Sequence, residues 1–283
     1  MDKLIFDSVE KINASNPENF KKNYMEKNLP CIITDFAKEW TALVKWNPEY
    51  FKKMYGNNLV KVYDASFADA GSTYMGSKGE MPFAEYLDRI EKGEDLRMFL
   101  YNIFSHAPEL KKDISLPKFI NGLSKRFLFM FVGPKGAITQ IHFDIDMSHV
   151  FHTPVVGRKR FVLYPPEQSK NLYRHPFTVR SYVDVDHPDF KKFPKLKLAK
   201  GYEVIVEPGQ TLFIPAGYWH HVEYLDAGYA ISLRAPNHRL LGKLHGLYNL
   251  IIMQMIDRLF NKIVPKAWFQ WKGQMAQKLA GQN

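Results

Sequence analysis

Cysteine is almost missing from this chain. Cys31 is the one example in 283 residues. An internal disulfide is therefore excluded, and so is a structural zinc site built on several thiolates. Such sparing use of Cys suits a reducing compartment, and the expected location is cytoplasmic. Long apolar runs are missing too. The longest, Leu247 to Ile256, is interrupted by Asn249 and Gln254 and falls short of the roughly 18 residues that a membrane-spanning helix needs. The first residues, Met1-Asp2-Lys3-Leu4-Ile5-Phe6-Asp7, carry neither a basic start nor a small-residue cleavage site, so no signal peptide is expected. Glycine and proline stand at 17 each and charged residues at 24%, which excludes fibrous repeats and bulk disorder. No internal repeat or low-complexity segment is visible.

What is present is ample core material and a positive balance. Apolar residues make up 46%, enough for one large domain or two small ones. The net charge is +10. Much of that excess lies beyond residue 238, where seven Lys and Arg face Asp257 alone. The excess is either a solvated surface or a footprint for a polyanion such as RNA.

Periodicity divides the chain into three. Residues 1–96 mix short helices, one starting at Asn16-Pro17 and others at Trp46-Asn47-Pro48 and Met81-Pro82-Phe83, with strands at Pro30–Asp35 and Leu59–Tyr63. Residues 97–236 are rich in strands. The candidates are Met98–Ile103, Phe127–Val132, Ala137–Phe143, His149–Thr153, Arg160–Tyr164, Glu203–Val206, Gln210–Ile214, His221–Tyr224 and Tyr229–Leu233. Short strands at this spacing, punctuated by Pro165-Pro166, Pro208-Gly209 and Pro215-Ala216-Gly217, predict a barrel or two-sheet jelly roll. Residues 237–283 turn helical. Leu240, Leu241, Leu244, Leu247, Ile251, Ile252, Met255, Leu259 and Phe260 form a wide stripe, Pro265 breaks it, and a second helix carries Trp268 and Trp271. The stripe either packs on the barrel's flank or joins two chains. Its width favours a homodimer through 239–283.

The chemistry centres on Thr139-Gln140-Ile141-His142-Phe143-Asp144. In a strand, residues i and i+2 share a face, so His142 and Asp144 project together. A third ligand is expected from Trp219-His220-His221. Two histidines and one carboxylate on one face of an octahedral metal leave three positions open, which is the donor set of non-haem Fe(II) oxygenases.

Several phrases together resemble the JmjC/cupin-like 2-oxoglutarate oxygenases over roughly residues 20–236. They are Gly133 through Asp144, Gly157-Arg158-Lys159-Arg160-Phe161-Val162-Leu163-Tyr164-Pro165-Pro166, Asp186-His187-Pro188-Asp189-Phe190, and Glu207 through His221. Within that family the sequence looks closest to asparaginyl hydroxylases of the factor-inhibiting-HIF type and their bacterial relatives. The resemblance implies a double-stranded β-helix core and iron held by His142, Asp144 and His220, with His221 turned away. It also implies that Lys159 and Thr139 meet the distal carboxylate of 2-oxoglutarate. A buried dicarboxylate needs such a cation, because an unpaired charge is costly to desolvate. Thr139 stands three before His142, so only a bulge puts both on one face. Arg234 stands where the asparaginyl hydroxylases have asparagine, and Phe99, with Tyr101 beside it, stands where a co-substrate tyrosine is expected. Asparagine specificity is therefore not carried over. The expected activity uses Fe(II), 2-oxoglutarate and O2 to hydroxylate a protein or peptide side chain. RNA, a small molecule, or metal binding without catalysis are the alternatives.

Overall fold

The structure, a computed structural model, describes residues 4–13, 17–65, 77–117, 120, 122–123 and 128–281. Strands β1 (Phe6–Ser8) and β2 (Glu10–Ile12) come first, then the short helix α1 (Pro17–Phe20) and strand β3 (Cys31–Ile33). Helices α2 (Ala42–Lys45) and α3 (Pro48–Tyr55), strands β4 (Leu59–Val62) and β5 (Gly79–Pro82) and helix α4 (Phe83–Glu91) follow. Asn47 caps α3 by accepting from the Tyr50 N–H at 2.8 Å, with Pro48 at the first helical position.

The nine strands expected between residues 98 and 233 each have a counterpart. They are β6 (Met98–Tyr101), β7 (Leu128–Gly133), β8 (Ile138–His142), β9 (His149–Val156), β10 (Lys159–Tyr164), β11 (Gly201–Val206), β12 (Thr211–Ile214), β13 (Trp219–Tyr224) and β14 (Gly228–Ala235). The short helix α5 (Ile103–His106) follows β6. Two expected element starts fall outside the described residues: Phe127, before the seventh strand, and Asn16, before the first helix.

These strands form two sheets, ordered β1-β11-β10-β13-β8 and β2-β3-β12-β9-β14-β7-β6. Pairing is antiparallel except β1 with β11 and β2 with β3. The segment before residue 97 thus does more than pack on the core. Its first strands, not visible in the periodicity because each is three residues long, extend both sheets.

Alternation along the strands creates the layers. On β10, Phe161 and Leu163 join Ile214 and Val222 between the sheets, while Val162 and Tyr164 face an outer cluster. Lys159 shares the inward row. Arg160 lies outward and pairs with Asp186, Glu203 and Glu223. Gly157, with φ +78, makes the turn from β9 to β10, and a Cβ there would come within 2.8 Å of the Ala227 carbonyl oxygen.

The C-terminal stripe is not one regular helix. A wide turn at Asn249–Met253 divides α6 (Leu240–Tyr248) from α7 (Gln254–Ile263). Helix α8 (Pro265–Leu279) folds back, and Ala276 joins the outer cluster with Val162 and Trp219. Trp268 stacks on Phe260 at 4.6 Å. Even so, Leu241, Leu244, Ile251, Met255, Leu259 and Ile263 stay exposed. Among the described residues no helix is long and apolar enough to cross a membrane.

Candidate metal centre

The three expected ligands meet. One ligand atom each from His142, Asp144 and His220 lies within 4.8 Å of the others. His142 ends β8 and stands opposite His220 on β13, with ring centroids 4.2 Å apart. Farther along, Thr139 stands opposite Val222. Three steps on β8 therefore match two on β13, which is a bulge. It reconciles the odd spacing of Thr139 and His142, and both line the same cavity. Asp144 lies beyond the end of β8 rather than within a strand. Buried Phe143 holds the approach, its N–H donating to the Val179 carbonyl at 3.1 Å and its ring meeting Trp219.

Each histidine faces a backbone acceptor through Nδ1, His142 with the Gln140 carbonyl at 2.7 Å and His220 with the Tyr218 carbonyl at 3.1 Å. With the proton on Nδ1, the Nε2 lone pair is left for a metal. Burial, then mutual repulsion with His220, takes the His142 pKa down to about 3. His220 is lowered chiefly by burial. Burial alone would raise the Asp144 pKa, but Arg234 and the histidines outweigh it and hold the carboxyl well below its usual range. Arg234 bonds Asp144 at 2.8 Å and also reaches Asp146 and Ser148. Two neutral imidazoles and an ionised carboxylate are the protonation states that metal ligation requires.

A cavity of about 110 Å³ runs inward from the triad between the two sheets. Lys159 lines it, 1% exposed, with Nζ 3.9 Å from the Tyr224 ring centroid and without an ion-pair partner among the described residues. Burial pushes its pKa well below the ordinary 10.5. Phe99 lines the cavity and stacks on Tyr63 at 4.1 Å. Tyr101 does not share that face. Leu100 has φ +54, three steps on β6 match two on β7, and Tyr101 packs instead on Phe83 and His106. His221 points outward, as expected, with Nε2 2.8 Å from Asp186.

Residues 17–235 match the cupin-like domain family. The chain belongs to that family. It is 30% identical over 243 residues to JmjC domain-containing protein D of Dictyostelium discoideum, covering 75% of this chain and 52% of that protein. It is 31% identical to lysine-specific demethylase JMJ30 of Arabidopsis thaliana, covering 79% and 54%. It is 26% identical to tRNA wybutosine-synthesizing protein 5 of Gallus gallus, covering 80% and 76%. The chain thus spans about half the length of the first two relatives.

Enzymes of the JmjC cupin-like family use Fe(II), 2-oxoglutarate and O2. The donor set at the triad fits the iron, and a buried cation without a carboxylate partner fits the far end of a dicarboxylate. Other cavity residues carried no signal in the sequence. Arg180 comes from the strand-poor stretch between β10 and β11 and bridges to His142. His152 and Ser232 read as ordinary polar residues within strands. Only their partners across the sheet reveal where they point.

Proposed function

We propose that this chain is an Fe(II)- and 2-oxoglutarate-dependent oxygenase that hydroxylates a side chain of a protein or peptide. One observation carries the reading: a two-histidine, one-carboxylate cluster stands at one end of a cavity that also holds a buried, unpaired lysine. His142, Asp144 and His220 would hold the iron. Bound iron, with 2-oxoglutarate and O2, supplies oxidative decarboxylation to succinate and CO2 together with insertion of one oxygen atom into a C–H bond. Lys159 would pair with the distal carboxylate, with Thr139 beside it. Arg234 keeps Asp144 ionised and oriented. Val150, Phe161 and Ile214 keep water from the inner cavity.

The demethylase names among the relatives support a protein substrate. A second reading, RNA, rests on the +10 charge and on the tRNA-modifying relative. We place the protein in the cytoplasm as a homodimer. The exposed apolar face of α6 and α7 supports the pairing.

Release of labelled CO2 from 2-oxoglutarate with Fe(II) and ascorbate tests the chemistry. His142→Ala or Asp144→Ala should lose iron and turnover while keeping the fold. Wild-type iron content in either variant would sink the ligand assignment. Trapping substrate from lysate and reading the mass gain of one oxygen atom separates protein from RNA.

A further inference from the structure

We propose that His152, set by Ser232, is a second anchor for the distal carboxylate of the bound 2-oxo acid, facing Lys159 across the cavity. The inference rests on the oxygenase reading above.

His152 sits on β9 and shares its inward row with Val150. Ser232 sits opposite it on β14 and shares its own inward row with Arg234. All four line the cavity. The His152 side chain is buried, and Nε2 has no hydrogen-bond partner among the described residues. A buried ring nitrogen left bare costs about 1–3 kcal/mol, so an occupant is expected. Depth places it with Lys159. The Phe131 ring centroid lies 5.8 Å from the His152 ring and 6.0 Å from Lys159 Nζ. Phe161, two residues along β10 from Lys159, lies 5.2 Å from the His152 ring. Both side chains therefore line one compartment, with Phe131 beside each.

The chemistry needed is an N–H donor, and Ser232 supplies the means. Its Oγ lies 2.7 Å from His152 Nδ1. With the hydroxyl donating to Nδ1, the imidazole proton stands on Nε2 and points at the cavity. Burial favours this neutral ring. A neutral donor beside the Lys159 ammonium adds a hydrogen bond to a carboxylate without a second buried charge. A carboxylate has about four acceptor sites, more than Lys159 and the Thr139 hydroxyl fill, and Nε2–H donates to one of the rest.

The test measures binding rather than turnover. Wild type, His152→Leu, His152→Gln and Ser232→Ala, each loaded with Mn(II), are titrated calorimetrically with 2-oxoglutarate and with 2-oxobutanoate, which lacks the distal carboxylate. His152→Leu should weaken 2-oxoglutarate at least tenfold and leave 2-oxobutanoate unchanged. His152→Gln, which keeps an N–H, should recover part of the loss. Ser232→Ala, the smaller change, should weaken 2-oxoglutarate severalfold with the same selectivity, and it carries the test should His152→Leu misfold. Equal losses for both acids, no loss, or tighter 2-oxoglutarate binding would overturn the anchor. Should wild type fail to bind 2-oxoglutarate at all, the oxygenase reading itself falls and the anchor with it. Normal wild-type binding with unaffected variants removes the anchor alone.

Discussion

Lys159→Met should make the ligand-free protein more stable while disabling it. The Lys159 side chain is buried between the two sheets, with Nζ 3.9 Å from the Tyr224 ring centroid and 6.0 Å from that of Phe131. Unfolded, the amine is protonated at pH 7. Folded, its pKa lies well below the ordinary 10.5 because burial penalises the charge. The most that this can cost at pH 7 is about 5 kcal/mol, at about 1.4 kcal/mol per pH unit below 10.5. Methionine fills a similar volume without the charge, so the variant gains up to about 5 kcal/mol. At about 2 °C per kcal/mol for a chain of this size, Tm should rise by up to about 10 °C. The sign with pH follows from proton counting. Between the folded pKa and about 10.5 the unfolded chain binds a proton at this site that the folded one does not, so wild-type stability rises with pH across that window and the variant's advantage narrows. With both proteins loaded with Mn(II), which the triad still binds, adding 2-oxoglutarate at about a hundred times the wild-type Kd should return about 2.7 kcal/mol to wild type and little to the variant, narrowing the gap. Differential scanning calorimetry at pH 7 and 9, with and without ligand, reads all of this. A ligand-free variant that melts at or below wild type would refute the reasoning.

Arg234→Met should remove the partner of Asp144, weaken Mn(II) binding about 10–100-fold, measured by titration, and lower the melting temperature of the metal-free protein, because Asp144 is left buried without its cation. Asp257→Asn should cost about 3 kcal/mol, because buried Lys272, 2.7 Å from Asp257, would lose its ion-pair partner. Trypsin should then cut within α8 faster than in wild type. Ile252→Glu with Leu259→Glu touches positions 44% and 52% exposed, so the fold should survive. Light scattering should shift from twice 33.0 kDa to 33.0 kDa, and a wild type already at the lower mass refutes the dimer.

Short apolar runs broken by Pro165-Pro166, Pro208-Gly209 and Pro215-Ala216-Gly217 made the central strands legible, although β9, β12 and β14 are buried on both faces and do not alternate. The triad was legible for a related reason. His142 and His220 sit where two apolar strands meet, and the donor types name the chemistry. Strands β1 and β2 were not, since three residues carry too little pattern and their pairing comes from distant β11 and β3. Tyr101 was misplaced by the assumption of strict alternation, which the left-handed Leu100 breaks. Arg180 could not be foreseen, because the stretch from residue 165 to 200 has no period and is held instead by local bonds such as Asp184 to the His187 N–H at 2.9 Å. The phrase Asp186-His187-Pro188 gained its reason only in three dimensions, where Asp186 joins Arg160 to His221 on the outer face.

Left-handed residues and buried polar atoms without a partner occur elsewhere in the fold, Tyr173, Phe177 and His175 Nδ1 among them, but four such departures meet at one cavity. The β8 bulge, left-handed Leu100, unpaired Lys159 and bare His152 Nε2 all belong to the wall of one cavity. Each is unfavourable by itself: a bulge loses ladder bonds, a left-handed leucine is strained, and a buried amine without a partner destabilises the fold. A fold selected for stability alone would put valines on these strands, as it does at Val150 and Val222. Their concentration in one compartment means that the missing stabilisation must come from whatever fills it. An anion with two carboxylates, one on the metal and one between Lys159 and His152, meets the charge, the donors and the length together. On this argument binding at one end depends on binding at the other. A 2-oxo acid without the distal carboxylate leaves Lys159 desolvated and unpaired, so it should bind more weakly than its smaller contact area alone requires.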